Sequence, residues 1–204
     1  MSSSRFLIAF LGVSLLAGAS GAQDLVEPGS GVSFPLKRDG ATLLGAALRI
    51  KKILFVKAKV YAVALYVGDE ALSGPLEAHR GKTTTQAFFK DLVWGDFRKE
   101  VVLHFVRDVG QSRIQEAMRE ALQGQDKGPL DTFVSYFPEV KTGQECVLAW
   151  GPGGSLEVSQ GGKARPPIAD KAFAAAVFAL YLGEHPLQEE FPSSLVTRAK
   201  DVLP

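Results

Sequence analysis

The spacing of apolar residues along the chain changes between a period of two and a helical period, so the sequence predicts a mixture of strands and helices. In residues 41–67 most side chains are β-branched, aromatic or small, and Leu48 and Ile50 alternate with charged neighbours as in a strand. The run 60–67 has no polar face at all. We therefore predict that it forms a central strand covered on both faces.

Helical periodicity is clearest in two later segments. Asp108 precedes an apolar stripe that runs from Ile114 to Leu122, and we expect Asp108 or a neighbour to cap this helix and Gly124 to end it. Residues 171–182 are apolar nearly all round, which predicts a buried helix between an Asp170 cap and Gly183. The other predicted strands are 99–106, 145–150 and 155–159, and the other predicted helices are 83–94, 130–137 and 192–202.

Residues 1–22 have the pattern of a bacterial secretory signal peptide. Arg5 precedes an apolar run of twelve residues, and small residues end the segment at Ala22. The run is too short to cross a hydrocarbon layer of ~30 Å. We expect cleavage after Ala22, location in the periplasm or outside the cell, and a single domain over residues 23–204 with no transmembrane segment. Residues 23–31 contain Gly and Pro and are predicted to be a leader to that domain.

Composition excludes several classes of protein. The chain has 204 residues, of which 46% are apolar and 22% charged, so it can bury a large core and is not disordered. Lys and Arg number 23 against 22 for Asp and Glu, which gives no overall basic field for nucleic acid or for an anionic membrane surface. The three His residues lack other ligands at metal-binding spacing, and the lone Cys146 lies among apolar residues. The sequence therefore predicts neither a metal site nor a cofactor.

Arg49 is unusual because it lies in an apolar strand region, twelve residues before Tyr61 in the next strand. A guanidinium is costly to bury without a partner, and its planar fork suits a carboxylate or an enolate oxygen. From the pattern alone, Arg49 either points to solvent or a surface acid, or anchors an anionic ligand. If it is an anchor at the inner end of a cleft, we expect water, a buffer anion or a carboxylate beside it in the free protein, and Arg49→Ala to cost little folding stability or to increase it.

Three parts of the chain, in the same order, resemble the chalcone isomerase family. Residues 48–53 followed by 59–66 are similar to its paired strands. Residues 97–109 resemble the next strand and the start of the following helix, and residues 170–186 resemble its buried helix and the turn after it. Together with the signal peptide, these segments resemble the bacterial, exported chalcone isomerase-like branch.

The resemblance implies an α+β open-faced β-sandwich, in which a large antiparallel sheet packs against a layer of helices with a ligand cleft between them. Arg49 matches the strand Arg that stabilises the developing enolate in plant isomerases. Tyr61, Gln111, Met118 and Leu180 fall at positions of a Thr, a Tyr, an Asn and a Thr of that active site. The loss of those polar groups makes the cleft more similar to that of the fatty-acid-binding members, where an Arg and a Tyr hold a carboxylate. Met118 and Leu180 also lie on helical stripes, so core packing is the alternative for both.

Three functions are compatible with this resemblance. The one we expect is a non-catalytic, or barely catalytic, binding protein for a lipophilic carboxylate such as a fatty acid, held by Arg49 and Tyr61. The second is a chalcone-to-flavanone isomerase, an intramolecular lyase with Arg49 as its catalytic residue. The third is an accessory protein without a working cleft. The expected partner is a small lipophilic molecule, either a fatty acid or a polyphenol-like compound, and not nucleic acid.

Overall fold

A computed structural model describes residues 24–53 and 55–204, so the predicted signal peptide lies outside the described residues. The strands are antiparallel, and β3 to β9 form one seven-stranded sheet in which they follow one another in chain order. The predicted α+β open-faced β-sandwich is confirmed. The strands of the described part are β1 (Asp24–Val26), β2 (Ser33–Pro35), β3 (Lys37–Arg38), β4 (Ala41–Ile53), β5 (Val56–Gly68), β6 (Lys99–Phe105), β7 (Glu145–Trp150), β8 (Leu156–Gln160) and β9 (Lys163–Ala164).

Helices cover one face of this sheet, which we call the helical face. The very apolar helix is found at the predicted bounds, because the Asp170 carboxylate accepts from the Phe173 N–H at 2.9 Å and Gly183 follows the last turn. Among the described helices, none has the length and apolar character required to cross a bilayer. The helices are α1 (Asp69–Leu72), α2 (Gln86–Trp94), α3 (Gln111–Ala121), α4 (Lys127–Ser135), α5 (Lys171–Leu182), α6 (Phe191–Leu195) and α7 (Ala199–Val202), with short 3-10 turns at Glu77–His79 and Pro152–Gly154.

The central strand is β5, which lies between β4 and β6. Its side chains alternate between two separate apolar clusters: Tyr61 and Val63 belong to the cluster on the helical face, whereas Ala62 and Tyr66 belong to the cluster on the opposite, back face. All four are buried. The prediction that residues 60–67 are covered on both faces is therefore confirmed for residues 61–67, and Val60 is partly buried.

The back face is covered by β1 and β2, which pair with each other as a small separate sheet. Phe34 of β2 is 1% exposed and packs in the back-face cluster, and the Tyr66 hydroxyl donates to the Pro35 carbonyl at 2.9 Å. The prediction that residues 23–31 are only a leader is thus wrong for residues 24–26. They form a strand because Leu25 packs beside Phe34 over an apolar sheet surface.

Several helix boundaries also differ from prediction: α2 begins at Gln86 rather than at residue 83, and α4 spans Lys127–Ser135 rather than 130–137. Asp108 does not cap α3, because its carboxylate accepts from the Thr142 N–H at 2.9 Å and the helix begins only at Gln111. Its neighbour Gly110 is the N-cap residue but provides no side-chain cap, and the helix ends at Ala121, three residues before the predicted Gly124. The single helix predicted over 192–202 is divided into α6 and α7. The division arises because the N–H of Arg198 donates to the Leu44 carbonyl of β4 at 2.8 Å instead of continuing a helix.

Candidate ligand-binding cleft

Three adjacent strands place a row of functional side chains at one end of the helical face. Arg49 of β4 lies directly opposite Tyr61 of β5, and Tyr61 lies directly opposite Phe105 of β6. The rings of Tyr61 and Phe105 meet edge to face with centroids 5.6 Å apart. A single level of the sheet therefore presents a guanidinium, a phenol and an apolar ring side by side.

A cavity of about 1180 Å³ lies between this end of the sheet and the helices. This exceeds the ~300–1,000 Å³ typical of small-molecule sites. Charged side chains of the lining occur on α3, on the loop before it and on the outer end of β4, whereas the lining contributed by the middle strands and by α5 is mainly apolar. The apolar lining residues are Ala58, Val60, Leu103, Phe105, Val109, Ile114, Ala117, Met118, Ala121, Phe133, Leu148, Val177, Leu180 and Leu187.

The five residues predicted for the site all line this one cavity. Arg49 and Tyr61 lie on the sheet, with Tyr61 buried and Arg49 half-buried. Gln111 is exposed at the first turn of α3, whereas Met118 and Leu180 are partly buried and contact both the cavity and the core. For Met118 and Leu180 the sequence leaves core packing and cavity lining as alternatives. In the structure each of the two side chains does both.

Arg49 has a protein partner that the sequence did not predict. Its Nη1 donates to the carbonyl oxygen of Leu187 at 2.8 Å and more weakly to that of Ile50 at 3.4 Å. Within the described residues, no carboxylate lies within ion-pair distance of Arg49, and the other guanidinium nitrogens donate no hydrogen bond to protein. The guanidinium is thus held in place by the main chain while its charge has no acidic partner.

The depth of Arg49 in the cleft also differs from expectation. The next residue of β4 on the same face is Lys51, which is exposed, and in the opposite direction the lining continues from buried Tyr61 to Leu103. Arg49 therefore lies in the outer part of the cleft rather than at its inner end. The apolar part of the cavity extends inward from it.

Burial determines the protonation state of the two phenols in the cleft. Burial raises the pKa of Tyr61, and the positive charge of Arg49 opposes this shift. Burial also raises the pKa of Tyr181 well above its usual value, and the two hydroxyls are close enough to influence each other. Both phenols are therefore neutral at pH 7 and can donate a hydrogen bond to an anion.

Tyr181 and Leu187 are two functional groups of the cleft that sequence reasoning missed. The resemblance directed attention to Leu180, but its neighbour Tyr181 carries the hydroxyl group that this end of α5 contributes to the lining. A hydroxyl near the end of a helix that is otherwise apolar was a usable signal. Leu187 contributes through its main-chain carbonyl, and a main-chain contact leaves no signal in residue type.

In the part of the chain that the structure describes, no three His, Cys, Asp or Glu side chains are grouped to hold a metal ion. Buried His79 bonds Asp91 at 2.6 Å, and Cys146 is buried in the core. On the sheet and α5, Arg49, Tyr61 and Tyr181 offer hydrogen bonding and charge next to a large apolar surface.

An antiparallel sheet with helices on one face and a cleft at one end of that layer is the arrangement of the chalcone isomerase fold. The family profile described as chalcone isomerase-like matches residues 32–196, and the chain belongs to this family. It is 27% identical over 180 residues to chalcone isomerase-like protein 1 of Humulus lupulus, covering 78% of this chain and 82% of that protein. It is 26% identical over 203 residues to a chalcone–flavanone isomerase of Dianthus caryophyllus, covering 88% of this chain and 89% of that enzyme.

The fold is also shared with a protein of known crystal structure. An Arabidopsis thaliana fatty-acid binding protein superposes with a TM-score of 0.77, at 22% sequence identity, covering 89% of this chain and 99% of that one. At this level of identity the likeness establishes the fold.

Proposed function

We propose that this protein binds a lipophilic carboxylate, such as a fatty acid, with the carboxylate at Arg49 and Tyr61 and the hydrocarbon tail in the apolar part of the cleft. The observation that carries the proposal is the pairing of Arg49 with Tyr61 on adjacent strands beside a large, mainly apolar cavity. A charged donor and a neutral donor at one end of an apolar space match a molecule with one anionic end.

The head group would be recognised by charge and by hydrogen bonds. The Leu187 carbonyl holds only Nη1 of Arg49, so the other guanidinium nitrogens can meet a carboxylate in the bidentate geometry that Arg favours. Tyr61 is neutral at pH 7 because burial raises its pKa, so its hydroxyl can donate to the same carboxylate. A carboxylate would also supply the counter-charge that Arg49 lacks among the described residues.

The tail would be bound by burial of apolar surface. Each methylene group transferred from water to an apolar site contributes ~0.8 kcal/mol. A chain that enters past Arg49 would meet Leu103, Leu148, Val177 and Leu180. Affinity should therefore rise with chain length until the cavity is filled.

Two further observations agree with this proposal. The Arabidopsis thaliana fatty-acid binding protein has the same fold over 89% of this chain. The signal-peptide pattern of residues 1–22 is consistent with a carrier that meets its ligand in the periplasm. We include that location in the proposal.

The first experiment is calorimetric titration of palmitate into the parent and three variants. Arg49→Ala should weaken binding about 30-fold, from the lower end of the ~2–5 kcal/mol lost when a charged hydrogen-bonded pair is broken. Tyr61→Phe should cost ~0.5–1.5 kcal/mol, because it removes one neutral donor. The matched control is Arg113→Ala, which removes an arginine from the α3 side of the same cavity. Equal affinity of the parent and Arg49→Ala would refute the proposed anchor.

Folding must be measured on the same samples, because Arg49 also holds the Leu187 carbonyl. Loss of a hydrogen bond from a charged group costs up to ~1.5–3 kcal/mol. Thermal melts define the temperature range in which each variant is folded, and titrations are made within it. Arg49→Lys keeps the positive charge but lacks the planar, bidentate guanidinium. Comparing it with Arg49→Ala therefore separates the effect of charge on binding from the effect of bidentate geometry.

A second experiment tests the tail. Ala117 of α3 lines the cavity and is only partly exposed, so Ala117→Phe should fill part of the cleft. The variant should bind octanoate nearly as well as the parent but lose affinity for palmitate. An unchanged dependence on chain length would mean that the tail lies elsewhere.

The second candidate function is chalcone-to-flavanone isomerisation. It is favoured by the relation to the chalcone–flavanone isomerase of Dianthus caryophyllus and by the position of Arg49, which could stabilise an enolate. Gln111, Met118 and Leu180 replace polar groups of the isomerase pattern, so we expect ring closure of a hydroxychalcone at most slightly above the spontaneous rate. Stereoselective flavanone formation that disappears in Arg49→Ala would favour the isomerase, and mass spectrometry of co-purified molecules would show which ligand class occupies the cleft.

A further inference from the structure

The outer ends of β4 and β5 form a two-stranded arm that projects from the sheet next to the cleft. β6 pairs with β5 only from Tyr61 to Val67, so residues 56–59 of β5 pair with β4 alone. We call the described residues of this hairpin, 50–53 and 55–59, the basic arm. Apart from Ala58, every side chain described in the arm is exposed.

The arm concentrates positive charge in a chain that is nearly neutral overall. Residues 50–59 include four lysines and no acidic residue, whereas the whole chain has a formal net charge of +1. Within the described chain, no carboxylate lies within ion-pair distance of any of these lysines. The acidic side chains that line the cavity, Asp108, Glu116 and Glu120, belong to α3 and the loop before it.

The register brings two of these charges face to face. Lys52 and Lys57 are directly opposite each other in the ladder. Like charges in this position destabilise an antiparallel pair. An arrangement that lowers the stability of the arm itself, and that no protein carboxylate relieves, is suited to an external anionic surface.

The arm also exposes apolar side chains. Phe55 is 99% exposed and Val56 is 66% exposed, and Ile50 is partly exposed nearby on β4. An aromatic and an aliphatic side chain flanked by lysines is the pattern of segments that insert shallowly at a lipid–water interface. A nucleic acid offers phosphates and base faces to a protein, and neither would bury the aliphatic side chains of the arm.

Lys59 already donates to the carbonyl oxygen of Gly29 at 2.5 Å. From these features we infer that the basic arm docks the protein on an anionic lipid bilayer, with Phe55 inserted among the head groups and the other three lysines against the lipid phosphates. Lys51 and Ala58 belong both to the arm and to the lining of the cavity. Docking through the arm would therefore bring the outer end of the cleft to the lipid surface. The docking does not depend on which ligand the cleft binds.

The test is co-sedimentation with vesicles of phosphatidylcholine alone or of phosphatidylcholine mixed with phosphatidylglycerol. The chain is used as it is recovered from cells, and every variant has the same N-terminus, so that differences between variants report the arm. The parent should bind the mixed vesicles strongly and the neutral ones weakly, and added salt should release it. No fatty acid is added, so the result is independent of the proposed ligand.

Two variants and two controls make the test specific. Lys52→Glu combined with Lys57→Glu keeps a like-charged pair across the ladder, so the arm should keep a similar stability. The loss of each lysine should weaken binding to the anionic vesicles ~5-fold, so this double variant should bind at least ~25-fold more weakly than the parent. Phe55→Ser should lose ~10-fold. The charge control is the double variant Lys90→Glu with Lys127→Glu, in which both lysines are exposed and lie outside the arm. The aromatic control is Trp94→Ser, at a half-exposed side chain on α2. Each control should bind like the parent.

Three results would overturn the inference. One is equal binding of the parent to neutral and anionic vesicles. Another is binding of either arm variant at the parent level. The third is binding of a single-stranded oligonucleotide, with the same dependence on Phe55 and the lysines, in place of vesicles.

Discussion

Lys99 has no exposed surface, although a lysine is among the least common residues to be fully buried. Its ammonium donates to the carbonyl oxygens of Val93 at 3.2 Å and Gly95 at 2.7 Å, which end α2. It also lies 3.9 Å from the centre of the Trp150 ring, at a distance typical of cation–π contacts. Lys99 therefore holds the end of α2 on the sheet. The main free-energy cost of this contact is the removal of the charged ammonium from water.

That cost predicts a pH dependence of stability. Burial lowers the pKa of Lys99 to about 7, and the negative charge of Asp96 partly offsets the shift. Between that value and the ordinary lysine pKa of ~10.4, the unfolded chain binds more protons than the folded one, so the free energy of unfolding should rise with pH. The rise should reach at most ~1.4 kcal/mol per pH unit and should weaken above pH ~9, where Cys146 acts in the opposite direction because burial raises its pKa to about 12.

Urea denaturation at a series of pH values from about 6 to 9 measures this effect. The control is Lys99→Met, which keeps the unbranched shape without the titrating group and should remove the pH-dependent rise. A parent profile as flat as that of the variant would mean that the carbonyls and the aromatic ring stabilise the ammonium enough to cancel its desolvation.

At the scale of elements, α6 lies directly on β4 at Gly45. A β-carbon at this position would lie 2.7 Å from the Leu195 carbonyl carbon, and it would also collide with the carbonyl oxygen of Ser194. Both contacts are with main chain, so no side-chain rotation can relieve them. This close approach holds α6 against β4 at this point.

Gly45→Ala should therefore destabilise the protein, by ~1–3 kcal/mol if α6 can shift and by more if it cannot. The matched control is Gly128→Ala in α4, where a β-carbon meets no atom within 4 Å and alanine is the better helix former. The control should be neutral or slightly stabilising. Denaturant midpoints of both variants give the comparison, and a Gly45→Ala protein as stable as the control would show that α6 is not held at this point.

The elements also show where sequence reasoning was adequate and where it failed. The bounds of α5 were predictable because Asp170 and Gly183 act on their own neighbours in the chain. The start of α3 was not, because Asp108 is engaged by Thr142, 34 residues away. The same applies to the division of α6 from α7, which depends on a main-chain bond from Arg198 to β4. Helix boundaries set by residues close in the chain could thus be predicted from the sequence. Boundaries set by contacts between distant segments could not.

The candidate site followed the same rule. Arg49 and Tyr61 were recognisable because their residue types stand out in an apolar strand pair, and the family resemblance supplied Gln111, Met118 and Leu180. The contact with the Leu187 carbonyl was not recognisable from residue types. The nearly neutral charge of the whole chain gave no indication of the lysines concentrated in the basic arm. Only the register of the hairpin brings Lys52 opposite Lys57.

At the scale of the whole molecule, the N-terminal segment carries our prediction of where the protein acts. We predict that the mature chain begins at Gln23, since Ala22 ends a segment with the features of a signal peptide. Asp24, the next residue, is the first residue of β1, so the new N-terminus would lie one residue before this strand. Fractionation of cells followed by mass spectrometry of the N-terminal peptide tests this, and a cytoplasmic protein that retains Met1 would contradict it.

The alternation of β5 between the two faces of the sheet has a consequence for how such a protein can evolve. Ala62 and Tyr66 contribute to a sealed back-face cluster, whereas Tyr61 borders the open cleft. A substitution at Tyr61 can change what the cleft accepts while the packing around Tyr66 under β2 stays the same. A lineage could thus exchange one occupant for another through a series of folded intermediates, each of them a viable protein. Divergence of a single ancestral fold into catalysts and carriers would then require few substitutions, concentrated on alternate residues of the central strands.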